Sequence, residues 1–295
     1  MTWGGWRWQG VVVGVALVVW GCVVIRLRLE ARRPEPRAVW VWSDRVMREP
    51  AARDSLFAWA RRHGVARLYQ HVEPLLLEDA EGVATFLREA RGAGFTVEAL
   101  LGDPVWVTVP DSALRRYRVL LGLHDRLGSD TLAAVHLDVE PHAVADWPAR
   151  QAAYVAGYQR LIEGLRAERA TRTLALHVDI PAWYDGVPVG DGASGSLAAW
   201  LFPRVEAVTV MAYFTDAPTV WRALADERAL ARAWGTPFTV GVETTCAVGA
   251  EESFCTLGAR RLETMLATLR RRFRGDAGWR GTAIHAYPDA VPLLP

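Results

Sequence analysis

The chain has 295 residues, 51% of them hydrophobic, and a formal net charge of +1 at pH 7. That length suits one α/β barrel of roughly 250 residues with a short appendage better than two domains, and it supplies a sizeable core. With a near-neutral charge and no basic stripe interleaved with aromatics, nucleic acid is not an expected partner.

Composition excludes more. All 34 basic residues are arginine, and lysine and asparagine are both absent. Schiff-base aldolases and pyridoxal-phosphate enzymes need a lysine amine, and a P-loop needs its lysine. No N-glycosylation sequon can exist without asparagine. No cofactor is expected. The three cysteines, Cys22, Cys246 and Cys255, include no Cys-x-x-Cys pair, so a structural zinc site is not expected. Cys246 and Cys255 share one predicted loop; they either form a local disulfide, which implies an oxidising compartment, or stand as two unrelated thiols.

In chain order, residues 1–33 read as a signal or membrane anchor. Val11–Ile25 is an apolar run with Trp3, Trp6 and Trp8 before it and Arg26, Arg28, Arg32 and Arg33 after it. Tryptophans gather at membrane interfaces, and the run is near the lower length limit for a spanning helix. It also suits a signal-peptide core, although no Ala-x-Ala cleavage site follows. The expectation is an uncleaved transmembrane anchor. The arginine excess after the run would keep the rest in the cytoplasm, whereas a disulfide argues for export. The reading adopted is a membrane-anchored protein facing the periplasm or cell exterior.

Residues 34–295 alternate short apolar runs with helical patterns. Candidate strands are Ala38–Trp42, Ala66–Gln70, Thr96–Leu101, Ala133–Asp138, Leu174–Asp179, Ala207–Ala212, Phe238–Val242 and Thr282–Ala286. Helical spacing separates them, as in Tyr154, Tyr158, Leu161, Ile162 and Leu165. Eight strand–helix repeats predict a (β/α)8 TIM barrel, with an open doubly wound sheet as the alternative. The last helix is expected to be missing or very short.

In a barrel, the working residues sit at the C-terminal ends of the strands. Those ends are rich in acids and aromatics: Trp42 and Asp44, Trp106, His136-Leu-Asp138-Val-Glu140-Pro141, His177-Val-Asp179 with Trp183, Tyr213, Glu243, and His285-Ala-Tyr287. Strand alternation puts His136, Asp138 and Glu140 on one face, stepping towards the mouth. For His136 and His177 the expected role is mutual structural satisfaction; for Asp138 with Glu140 it is function. Two carboxylates in an aromatic groove suit glycoside cleavage, one donating a proton and the other stabilising or attacking the oxocarbenium-like centre. Trp42, Trp106, Trp183 and Tyr287 are candidate stacking platforms for sugar, with Asp44 and Asp179 as polar contacts.

Val135-His-Leu-Asp138-Val-Glu140 resembles the end of strand four in family-18, chitinase-type glycoside hydrolases, which carry Asp-x-x-Asp-x-Asp-x-Glu, and Met211-Ala-Tyr213 resembles their strand-six motif. The resemblance implies Glu140 as general acid, Asp138 orienting an acetamido group that acts as nucleophile, and Tyr213 hydrogen-bonding that group. The two earlier aspartates are Ala133 and His136 here, and Phe214 replaces the aspartate after the tyrosine. Val139-Glu140-Pro141 and Glu243 also resemble the retaining clan that places an acid/base after strand four and a nucleophile after strand seven. Two other classes stay open. His136-x-Asp138, His177-x-Asp179 and His285 could hold zinc in a metal-dependent hydrolase. A barrel with its motif eroded could also bind carbohydrate without cleaving it.

Overall fold

The computed structural model describes residues 37–170, 172–190 and 195–294. The expected anchor over 1–33 lies outside the described residues. Among the described residues, no helix is long and apolar enough to cross a membrane.

Eight parallel strands close on themselves, each pairing with its neighbour in sequence and the last with the first. They are β1 Arg37–Val41, β2 Val65–His71, β3 Thr96–Leu101, β4 Ala134–Leu137, β5 Ala175–Pro181, β6 Ala207–Met211, β7 Phe238–Glu243 and β8 Trp279–Tyr287. Every predicted strand is present, with β3 matched at both ends and no end differing by more than three residues. The open sheet is excluded. The main helices are α1 Pro50–Arg62, α2 Ala80–Gly92, α3 Pro110–Leu127, α4 Trp147–Arg169, α5 Leu197–Leu201, α6 Ala217–Ala223, α7 Ala225–Trp234 and α8 Ala259–Phe273.

After β8 no helix forms among the described residues; the chain turns back, and Trp59 of α1 donates its indole N–H to the Leu294 carbonyl at 2.8 Å.

The period-two alternation of the strands sorts side chains into two cores. Outward residues such as Val39, Leu68, Val97, Val135, Val178, Val208 and Val240 pack with helix residues such as Leu56, Phe86, Tyr117, Leu161 and Leu266 into one large cluster. Inside, Ala38, Trp40, Tyr69, Leu100, Ala283 and Ala286 form a separate small cluster, with Trp42 packed against it. Much of the rest of the interior is polar, with Glu98, His136, His177, Asp179, Thr209 and Glu243 buried there.

One glycine decides the shape of the mouth. A Cβ at Gly102, immediately after β3, would lie 2.0 Å from the backbone oxygen of Asp138. The close approach lets the end of β4 sit against β3, where the Asp138 N–H donates to the Leu101 carbonyl at 2.8 Å. Gly102→Ala is therefore expected to push Asp138 and Glu140 outward. Overpacking of this kind costs about 1–3 kcal/mol, and misplacing a reacting group by about 1 Å costs roughly 100-fold in rate. Thermal melts and kcat measured side by side would check this; a variant with parental kcat would refute it.

Candidate active site

The site is built in layers on the inward faces of the strands. Glu98, in the middle of β3 and 1% exposed, is the hub of the lower layer. Its Oε2 faces His136 Nδ1 at 2.7 Å and His177 Nδ1 at 2.8 Å. Its Oε1 pairs with Arg67 at 3.1 Å, aligned too poorly for a hydrogen bond, and lies 3.8 Å from Arg280. His136 uses its other nitrogen on Asp179, with Nε2 to Oδ1 at 2.6 Å, and Trp40 donates its indole N–H to Asp179 Oδ2 at 2.8 Å. The Tyr69 ring lies over His136 with centroids 4.0 Å apart.

Charge explains the arrangement. Burial opposes protonation of His136, but the Asp179 and Glu98 carboxylates outweigh it and raise its pKa to about 10. With a carboxylate at each nitrogen, the ring is an imidazolium donating in both directions. Burial alone would raise Glu98; the His177 and His136 rings reverse this and hold its carboxyl well below the usual range. The expectation that His136 and His177 satisfy buried partners holds, with Glu98 as the partner that the strand ends do not reveal.

One rung higher is the predicted carboxylate pair. The ladder pairs Leu137 with Val178, so Asp138 follows beside Asp179 on the inner face. The Asp138 Oδ1 is enclosed and has no hydrogen-bond partner among the described residues. Burial pushes the Asp138 pKa well up, and the neighbouring Asp179 and Glu140 carboxylates push it further. Glu140 is half-buried, and its pKa is also raised, first by burial and then by Asp179, with His285 opposing. Tyr213, just beyond β6, is raised well above its ordinary value by burial and by Glu243, Asp138, Asp179 and Glu140 in turn. All three side chains, Asp138, Glu140 and Tyr213, are half-buried, and the Tyr213 hydroxyl feels the charge of both carboxyls.

Glu243 sits differently. It is 2% exposed; its Oε1 accepts from the backbone N–H groups of Thr244 at 2.7 Å and Thr245 at 2.6 Å, and its Oε2 faces His285 Nδ1 at 2.8 Å. Trp42 donates its indole N–H to His285 Nε2 at 2.9 Å, so both ring nitrogens of His285 are engaged. A disulfide between Cys246 and Cys255, with Cα atoms 5.3 Å apart, closes the loop after β7. In that loop the Phe254 N–H returns to the Glu243 carbonyl at 3.0 Å.

The predicted sugar contacts divide. Trp42 is half-buried at the mouth beside His71, with ring centroids 5.2 Å apart, and Trp183 is 46% exposed, edge-on to His142 at 4.9 Å. Two others, Trp106 and Asp179, need correcting, and Tyr287 and Asp44 already have protein partners. Trp106 is 1% exposed and packed in the outer core, so no ring can stack on it. Tyr287 packs against Trp59 and the same outer core. Asp44 pairs locally with Arg48 at 2.7 Å. Asp179 is buried under the rim with both oxygens engaged, so it acts on charge and not on a ligand directly.

The zinc reading needs His136, Asp138, His177, Asp179 and His285 to converge, and they do not. Among the described residues the only group whose ligand atoms lie close enough for a metal is Glu98, His136 and His177. Its nitrogen–oxygen distances are hydrogen-bond lengths, and the guanidinium groups of Arg67 and Arg280 already bring positive charge to Glu98.

Sequence reasoning gives no role to Tyr158, or to Tyr184 at the end of strand five, buried hydroxyls whose pKa values rise with burial and with Glu140 and Asp138 nearby. Tyr158 carries only the helical periodicity of α4. The signal for Glu98 was present: a lone acid inside an otherwise apolar strand.

No protein-family model matches the chain, and no curated protein sequence does. Solved structures do match in fold. A GH18 chitinase from Pseudoalteromonas aurantia superimposes with a TM-score of 0.51 at 9% identity, covering 85% of this chain and 94% of that one. A GH18 chitinase from Cycas revoluta in complex with (GlcNAc)3 gives 0.54 at 10% identity, covering 88% and 97%. An exo-β-1,4-mannosidase from an Opitutaceae bacterium gives 0.54 at 14% identity, covering 85% of this chain and 51% of that longer one. The neighbours are glycoside hydrolase barrels, and at these identities the likeness is one of fold.

Proposed function

We propose that the barrel is a glycoside hydrolase in which Glu140 is the general acid. The observation that carries this reading is the pair at the end of β4. Asp138 and Glu140 are two adjoining carboxyls with raised pKa values, one of them with an enclosed and unpartnered oxygen, beneath a mouth that exposes Trp183. Buried acid without a partner is costly to the fold and is tolerated where it works. A raised pKa lets Glu140 hold its proton to higher pH than an ordinary carboxyl does, ready to give it to the glycosidic oxygen as that bond breaks.

For the other half of the reaction, the placement of Asp138 and Tyr213 favours assistance by the substrate. Asp138 orients a 2-acetamido group, the acetamido oxygen attacks the anomeric carbon, and the Tyr213 hydroxyl donates to that oxygen. Water then opens the cyclic intermediate, and Glu140 takes the proton back. Glu243 is less suited to be a covalent nucleophile, because both of its oxygens are already occupied by donors. The substrate class proposed is a cell-wall or extracellular polysaccharide containing N-acetylated hexosamine. The disulfide supports an oxidising compartment, in keeping with a membrane-anchored or exported protein.

The test is release of reducing ends by residues 34–295 from N-acetylhexosamine oligomers, bacterial cell-wall glycans and exopolysaccharides, with binding measured on the same panel. Cleavage of acetamido glycans but not of their 2-hydroxyl counterparts is the expected result. Binding without release would leave a carbohydrate-binding barrel.

A further inference from the structure

Behind Glu140 stand two polar side chains, His142 and Tyr184, that the reaction just described does not use. Glu140 is followed by Pro141 and a single 3-10 turn, Pro141–Ala143, in which the Ala143 N–H returns to the Glu140 carbonyl at 2.9 Å. That turn doubles the chain back so that the imidazole of His142 lies beside the carboxyl of Glu140, with Nε2 3.7 Å from Oε1. The other nitrogen, Nδ1, is 3.1 Å from the hydroxyl of Tyr184, a fully buried residue in the turn after β5. The ring is wedged edge-on between Trp183, at 4.9 Å, and Trp147, at 6.4 Å. It therefore has one face of approach to Glu140 and little freedom to leave it.

Burial lowers the pKa of His142, and it raises that of Tyr184. Both are uncharged at neutral pH. A neutral imidazole has one donor and one acceptor nitrogen, so the group at Nδ1 decides what Nε2 offers. A tyrosine hydroxyl donating into Nδ1 puts the imidazole proton on Nε2, facing Glu140.

We propose that His142, oriented by Tyr184, is a positioning residue for the proton donor: its Nε2–H receives the carboxylate that Glu140 becomes as its proton leaves. This rests on the reading of Glu140 as general acid. In the step, the Glu140 O–H bond breaks, the proton goes to the departing glycosidic oxygen, and the electron pair stays on Glu140. The His142 proton is not transferred. At rest the 3.7 Å gap is too long for a hydrogen bond, and a protonated carboxyl does not need one; the new negative charge draws the pair together. The other charged groups facing Glu140 are Asp179 and Asp138, which disfavour its ionisation, and His285 across the barrel, which favours it. His142 is the group held against Glu140 from its own turn.

Three variants test this: His142→Phe keeps the ring but no nitrogen, His142→Gln restores an N–H, and Tyr184→Phe removes the orienting hydroxyl. Losing a hydrogen bond to a charged group is expected to lower kcat about 10–100-fold with KM nearly unchanged. His142→Gln recovers most of that loss, and Tyr184→Phe loses several-fold. In His142→Phe, the alkaline limb of the pH–rate profile moves up by roughly one to two units, the equilibrium counterpart of its loss in kcat, because Glu140 loses a group that favours its charged form. The same shift is read without turnover from NMR titration of the labelled Glu140 carboxyl, with Glu140→Gln as the assignment control. That titration separates the two readings: a protein that cleaves no glycan yet shows the shift defeats the glycosidase and keeps the His142 contact. An unmoved Glu140 titration, or an equal loss on substrates whose leaving group needs no proton, overturns the proposal.

Discussion

Glu140→Gln is expected to lower kcat by about 100- to 10,000-fold on glycans whose leaving group is a sugar hydroxyl, the range a positioned general acid supplies. The amide matches the carboxyl in shape but has no acidic proton, so binding through the mouth persists and KM changes little. The loss depends on the leaving group. An aryl glycoside whose phenolate departs unaided needs no acid and retains far more of its rate. The pH profile gives a second reading. An acid must be protonated to act, so the parent loses activity as pH rises through the folded pKa of Glu140, which burial and Asp179 place above the ordinary carboxylate value. That limb disappears in the variant. Thermal stability is unchanged or higher, since the variant no longer confines an ionisable group. A variant with parental kcat on natural glycans would remove Glu140 from the chemistry.

His136→Leu should have the largest effect on stability. The ring lies between Glu98 and Asp179 with both nitrogens engaged, and leucine would leave two buried carboxylates facing each other across an apolar side chain. Removing one partner of a buried charge set costs about 3–5 kcal/mol, which for a barrel of this size lowers Tm by roughly 6–20 °C. The sign with pH follows from the raised pKa. The folded value is about 10, against about 6.5 for the unfolded chain. The contribution of His136 is therefore complete below about pH 6.5 and is lost as pH rises through 10. The difference in Tm between parent and variant should narrow over that window. Adding Asp179→Asn to the His136→Leu background returns part of the loss, because it removes one of the two stranded charges. Calorimetric melts from pH 5 to 10 on the three proteins decide it; a gap that is flat across the series would show that the imidazole is not charged in the fold.

Much of the architecture was legible because it rests on short-range patterns. The eight strands are β-branched or aliphatic runs between helical stretches, and their eightfold alternation points to a closed sheet, with the β1–β8 pairing deciding against an open one. Asp138 and Glu140 were legible too, as acids spaced two apart at a strand end. What could not be read is which polar residues find each other across the barrel. Glu98 joins His136 and His177 over separations of 38 and 79 residues; a lone acid in β3 marks the position, but nothing local says which partners it meets. Trp106 follows a strand end as Trp42 does. It turns outward into the helix layer, while Trp42 turns in to meet His285, because the turn after β3 redirects its side chains. Spacing does not encode that choice. Asp44 similarly met an arginine four residues away before it could reach the mouth.

The cluster of Glu98, His136, Asp179 and Arg67 also bears on how such a barrel can change over evolutionary time. Each member is tolerable only in the company of the others, so these positions are inherited as a set. A lineage that gave up the histidine would first have to neutralise an acid on β3 or β5, and one that gained an aspartate at position 136 would need a new cation nearby. Substitutions on β3, β4 and β5 should therefore appear in step across descendants, while the exposed mouth residues, Trp183 among them, vary freely with the glycan encountered.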